Sequence, residues 1–192
     1  MARRPMVSVL IVALATMFAV GCASDNGDES GSPSTTTSAV PFDRAFIDAM
    51  VPHHESAIEM ARVSLKAGLS QTDLIAVAQD IIDTQRLEIE EMRSWRKDWF
   101  GSRKIDPQGA AELGLSEEAM GMKHDAAEIE RAQDVNQAFA AAMIPHHEGA
   151  IEMAETELAE GANPEVTGLA GTIAEAQRAE VELMAGWQAA WS

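Results

Sequence analysis

Two stretches of the chain set adjacent histidines between methionines. Met50-Val51-Pro52-His53-His54 leads on to Met60, and Met143-Ile144-Pro145-His146-His147 leads on to Met153. At about 100° per residue on a helix, Met60 lies about 20°, Met50 about 60° and His54 about 100° from His53, so one inward arc holds all four. The second stretch repeats the arrangement. Imidazole nitrogens mixed with thioethers form a soft ligand set that suits copper, Cu(I) above all, whereas calcium and magnesium call for carboxylate and carbonyl oxygens. His53, His54, Met50, Met60, His146, His147, Met143 and Met153 are therefore the candidate metal ligands.

Facing segments carry Gln85, Glu88 and Met92, and again Gln177, Glu180 and Met184, on stripes turned toward the same interior. Glu88 and Glu180 are placed to orient an imidazole from behind, with Gln85 and Gln177 beside them. The competing account is a structural one, in which buried His bonds to Gln or Glu across helices and Met fills the core. A weaker soft-ligand string, Met120-Gly121-Met122-Lys123-His124, lies between the two stretches, and its plain reading is an irregular connection with Met120 packed on the core.

Catalytic signatures are scarce. A di-iron bundle would use Glu-x-x-His on two helices, and the sequence has none. Glu55 falls about 200° from His53, so Glu55 and Glu148 are expected in solvent or in interhelical ion pairs. There is no His-Glu-x-x-His zinc motif, no glycine-rich phosphate loop and no paired cysteine chemistry. A di-metal redox enzyme built on His53, His54, Glu88 and their repeats would be irregular.

The elements that must position these residues follow from a duplication. Residues 46–68 align with 139–161 at 14 identities in 23 positions. One residue fewer in the next loop then pairs Ile81, Gln85, Arg86, Glu88, Glu90, Met92, Trp95 and Trp99 with Ile173, Gln177, Arg178, Glu180, Glu182, Met184, Trp187 and Trp191. Apolar spacings of three and four run through both halves, with Ala, Glu, Met and Leu between them, and no strand-like alternation appears. Gly68, Gly161 and Asn163-Pro164 mark the stops. The pattern predicts an all-α, ferritin-like antiparallel four-helix bundle made from two repeated hairpins, 42–100 and 135–192, with helices near 43–67, 73–100, 134–160 and 164–190. A long crossover, 101–134, joins them and is expected to hold a short helix from Ser116-Glu117-Glu118. Pro52 and Pro145 should bend the first helix of each hairpin or restart it.

Ahead of this domain, Arg3-Arg4 and the apolar run Val7 to Val20 read as an export signal over 1–21, too short to span a bilayer. Ala19-Val20-Gly21-Cys22 resembles a bacterial lipobox, which implies cleavage before Cys22 and acylation of its thiol. Cys22 is the single cysteine, so no intrachain disulfide forms. Residues 22–41 are rich in Ser, Thr and Gly and form a flexible tether reaching roughly 25 Å. The expected location is the outer face of the cell membrane, held by a lipid anchor. With 31 acidic against 14 basic residues and a net charge of −17, the chain favours cations as partners and disfavours nucleic acid. The sequence names no protein partner.

Both Phe-x-x-x-Met-hydrophobic-Pro-His-His-Glu-x-Ala-Ile-Glu-Met-Ala stretches, each followed by Gln-Arg-x-Glu and Met-x-x-Trp, resemble the secreted bacterial domain of unknown function 305 of the ferritin-like superfamily. The resemblance covers residues 42 to 192. It implies a four-helix bundle of two similar hairpins, export, and no established general activity. Some members resemble copper-binding proteins of the periplasm or cell surface that use Met and His, and by motif position that use falls on the eight ligands above. Few extra Met residues occupy the crossover, which argues against a high copper capacity. The combined expectation is an exported lipoprotein that binds copper for sequestration or handover. Its alternatives are a non-metal structural or interaction module of the cell envelope and a ferritin-like di-metal redox enzyme.

Overall fold

The computed structural model describes residues 41–191. The export signal, Cys22 and nearly all of the tether lie outside the described residues. Six helices follow in order: α1 (Pro41–Ala67), α2 (Thr72–Phe100), α3 (Gly109–Glu112), α4 (Ala126–Glu130), α5 (Val135–Glu160) and α6 (Pro164–Ala190). No strand occurs among the described residues. None of the described helices is long and apolar enough to cross a membrane.

Local chemistry sets the ends of the long helices. The Asp134 side chain accepts from the N–H groups of Asn136 and Gln137 at the start of α5, and Asn163 accepts from Glu165 N–H ahead of Pro164 at the start of α6. Gly101 closes α2 at φ 77°, a left-handed conformation that glycine adopts without a Cβ clash. The four long helices match the spacing-based expectation within two residues at each end. The prolines do not restart anything: α1 runs on through Pro52 and α5 through Pro145. Each proline lacks an N–H, so the carbonyls of Asp48 and Ala141 lose their usual helical donor.

Each hairpin packs on itself, α1 on α2 and α5 on α6, and the two hairpins meet chiefly through α1 and α5. Helices α2 and α6 barely touch. Met50 and Met153 share one core cluster with Met92, while Met60 and Met143 share the other with Met184. The start of α1 therefore lies beside the end of α5, an antiparallel pairing. All six of these methionines are buried. Each cluster holds one methionine from each position of the duplicated motif, so the pseudo-symmetry of the sequence is also that of the core.

The hairpins also staple each other. Asn136 Oδ1 accepts from Ser70 and Gln71 N–H, each at 3.0 Å, fixing the α1–α2 turn. Its repeat equivalent, Asp43, accepts from Ala162 and Asn163 N–H at the same distance and fixes the α5–α6 turn.

The crossover corrects one expectation. Residues from Ser116 form turns rather than a helix, and the short helices are α3 and α4. Ser116 Oγ does accept from Ala119 N–H like a helix cap, but Gly114 at φ 74° and Gly121 at φ 69° interrupt any continuation. The segment lies close against the bundle. A Cβ on Gly121 would meet the Pro145 carbonyl oxygen at 2.1 Å, and one on Gly149 would meet the Met120 backbone at 2.2 Å.

Candidate metal centre

Helices α1 and α5 cross where their histidine pairs meet, and His53, His54, His146 and His147 are all buried there. The rings of His53 and His146 lie 3.7 Å apart between centroids, tilted by 36°. Each has its sequence neighbour further out, His54 at 6.5 Å from His53 and His147 at 6.3 Å from His146. The two histidine pairs thus meet through the rings of His53 and His146.

The outer members are anchored by carboxylates. His54 Nε2 lies 2.8 Å from Glu88 Oε2, and His147 Nε2 lies 2.6 Å from Glu180 Oε2. A carboxylate accepts only, so Nε2–H donates in both cases. The Nδ1 atoms of His54 and His147 then carry lone pairs, and neither has a hydrogen-bond partner. At the centre, His53 Nε2–H donates to the Met120 carbonyl at 2.9 Å, which leaves His53 Nδ1 with a lone pair and no partner. Neither ring nitrogen of His146 has one.

Five buried imidazole nitrogens without partners are costly, since each forfeits its water without a replacement. The same burial keeps the central rings neutral. It pushes His53 down to about 3, helped by repulsion from His54, while the bond to Met120 opposes the fall. Burial, reinforced by His53 and His147, also holds His146 well below the usual imidazole range. Neutral imidazoles with free lone pairs are the form in which histidine binds a metal.

The structure brings Glu88 and Glu180 onto the outer imidazoles. Gln85 and Gln177 are buried alongside, but their side-chain oxygens have no partner. Met50 and Met153 are buried in one core cluster and Met60 and Met143 in the other. Glu55 pairs with Arg93 at 2.7 Å and Glu148 is exposed, so both stay outside the histidine pairs. Among the described residues no three of His, Cys, Asp and Glu converge as a metal site. A metal held here would need thioether sulfur to complete its ligands, which is the soft set that the residue types suggest. Sequence reasoning missed the Met120 carbonyl as the partner of His53. No side-chain pattern signals a backbone acceptor reached across a crossover.

The family model for a domain of unknown function, DUF305, matches residues 35–72 and 43–188. The chain belongs to the DUF305 family. Among solved structures, CopM in its Cu(II)-bound form is 33% identical over 78% of this chain and 97% of its own, with a TM-score of 0.68. CopM is also known in Cu(I)-bound, Ag-bound and apo forms. A DUF305 protein from Streptomyces coelicolor is 25% identical over 77% of this chain and 92% of its own, at a TM-score of 0.68. A DUF305 fragment from Deinococcus radiodurans is 31% identical over 77% and 95%, at 0.59. No curated protein matches. The all-helical DUF305 bundle is thus the fold of this chain.

Proposed function

We propose that this DUF305 protein is an exported, lipid-anchored copper binder that holds Cu(I) through its paired histidines and neighbouring methionines, for sequestration or handover. One observation carries the reading: five buried imidazole nitrogens lack partners, in rings held neutral or braced by carboxylates. A purely structural network would satisfy its own nitrogens, because an unpaired buried polar atom costs about 1–3 kcal/mol. His53, His54, His146 and His147 supply nitrogen, and Met50, Met60, Met143 and Met153 supply sulfur. Glu88 and Glu180 hold the outer rings in the tautomer that frees Nδ1. CopM, similar over nearly its whole length, is known with copper and with silver bound, which supports a soft-metal role.

The test is anaerobic Cu(I) titration against a chromophoric competitor, beside a variant with all four paired histidines changed to Ala and checked for helix content. Stoichiometric binding that disappears in the folded variant is the expected result. Failure of the wild type to compete for Cu(I), and equally for Cu(II), would make the histidines a structural network. Lipid anchoring is tested separately: Cys22→Ala should abolish acylation and release the protein from membranes.

A further inference from the structure

Soft side chains of the crossover line two cavities, one open to solvent and one that reaches His53. His124 is exposed and lines an open cleft of about 550 Å³ together with Glu59, Asp125 and Glu130. Met122 lines that cleft as well, and it also lines a separate cavity of about 70 Å³ between α1 and the crossover. Asp48, His53 and Met120 line this inner cavity. Met122 is thus common to the outer cleft and the inner chamber.

The inner chamber has features that packing alone does not require. Asp48 Oδ2 and His53 Nδ1 are buried in residues of its wall, and neither has a partner. Asp48 Oδ1 is held by Arg96 Nε at 2.9 Å, so the acid is fixed in place. The repeat equivalents of Asp48 and Arg96 are Ala141 and Gln188, and the second hairpin has no such acid. In the half that has the acid, the crossover also bonds to a paired histidine, Met120 to His53. The chamber's volume is about that of two liquid waters, enough for a small cation and too little for an organic ligand.

We propose that His124, Met122 and Met120 form a loading ladder that passes a soft monovalent cation, Cu(I) or Ag(I), from the acidic cleft through the chamber to His53. The proposal rests on the copper reading above and adds the route. Carboxylates of the cleft raise the local cation concentration. Thioethers are soft, neutral donors, so the ion exchanges one ligand for the next and keeps its charge throughout. Asp48 Oδ2 offers the only unpaired carboxylate oxygen among the described residues that line the chamber.

The experiment measures transfer rate and equilibrium affinity separately. Cu(I) is delivered anaerobically from a chromophoric chelator to the full chain carrying Cys22→Ala, so that the single thiol does not compete. Met122→Ile removes the thioether and keeps apolar bulk, while Ala110→Leu fills the chamber from a residue outside the ladder. Each folded variant should load at least about tenfold more slowly at equilibrium affinity within about twofold of wild type. Either variant suffices if the other fails to fold by circular dichroism. Wild-type loading rates at wild-type affinity would overturn the ladder and place the route elsewhere. So would a loss of affinity in Met122→Ile that matches its loss of rate, because Met122 would then belong to the resting site. A wild-type chain that takes up no Cu(I) would overturn the copper reading itself, and the ladder with it.

Discussion

The rings of His53 and His146 meet at 3.7 Å between centroids where α1 crosses α5, although neither ring has a partner for its Nδ1 atom. Two helices bring equivalent residues of a duplicated motif into contact, and each residue carries an unpaid polar cost into the core. Such a cost survives where the site does something other than hold the fold together.

Replacing His146 by Leu should therefore stabilise the metal-free protein while impairing copper binding. Removing a buried group that makes no hydrogen bond, in favour of an apolar one of similar size, relieves about 1–3 kcal/mol of desolvation. For a chain of this size that corresponds to a rise in melting temperature of roughly 2–12 °C by calorimetry, less whatever the altered shape costs in packing. A structural histidine would give the opposite sign, and a fall in melting temperature would count against the metal reading.

Glu88→Gln and Glu180→Gln should each weaken Cu(I) binding about 10- to 100-fold with little change in melting temperature. The amide can still bond to Nε2, so packing is preserved. It also offers a donor, which permits the other tautomer and moves the hydrogen onto Nδ1, the atom needed as a ligand. Competition titration reads the affinity, and nitrogen-15 shifts of His54 and His147 read the tautomer. Unchanged tautomers with unchanged affinity would remove these carboxylates from the site.

Much of this was readable from residue spacing. Helix lengths followed from apolar residues three and four apart, and their ends from Gly68 and Asn163-Pro164. The inward turn of His53, His54, Glu88 and their repeats followed from the same periodicity, because duplication placed them on equivalent stripes. What escaped was long-range or polar. The Met120 carbonyl meets His53 from a crossover whose path depends on close backbone approach at Gly121 and Gly149. Asp48, Arg96, Asp43 and Glu157 are buried, though charge alone would put them in water. Asp48 pairs with Arg96, Asp43 accepts from the α5–α6 turn and Glu157 lies against Asp43, all neighbours distant in sequence that a stripe of apolar residues cannot reveal.

The Asp48–Arg96 pair yields a test drawn from the repeat itself. Asp48→Ala alone should cost about 3–5 kcal/mol, because Arg96 remains buried without its acid. Asp48→Ala combined with Arg96→Gln reproduces the residues of the second hairpin, Ala141 and Gln188, and should recover most of that loss. Urea unfolding of the three chains measures the coupling. Equal losses in the single and double variants would mean that Arg96 finds another partner.

Stability should be greatest across a plateau between the ordinary Glu and His values of 4.5 and 6.5, set by groups of opposite sign. Glu157 is buried against Asp43, and burial, a hydrogen bond to that side chain and its charge push Glu157 up to about 8. The folded chain thus holds a proton that the unfolded chain releases near 4.5. That contribution is whole below pH 4.5 and is lost as pH rises through about 8, at a slope of at most about 1.4 kcal/mol per pH unit. His53 works the other way. Its folded value of about 3 lies below the ordinary 6.5, so its contribution is whole above 6.5 and is lost as the solution is acidified toward 3. Denaturant midpoints from pH 4 to 9 should trace the plateau. Glu157→Gln keeps a donor for Asp43 and removes the titration, so it should flatten the alkaline limb and leave the acid limb intact. An alkaline limb that persists in Glu157→Gln would mean that another group sets it.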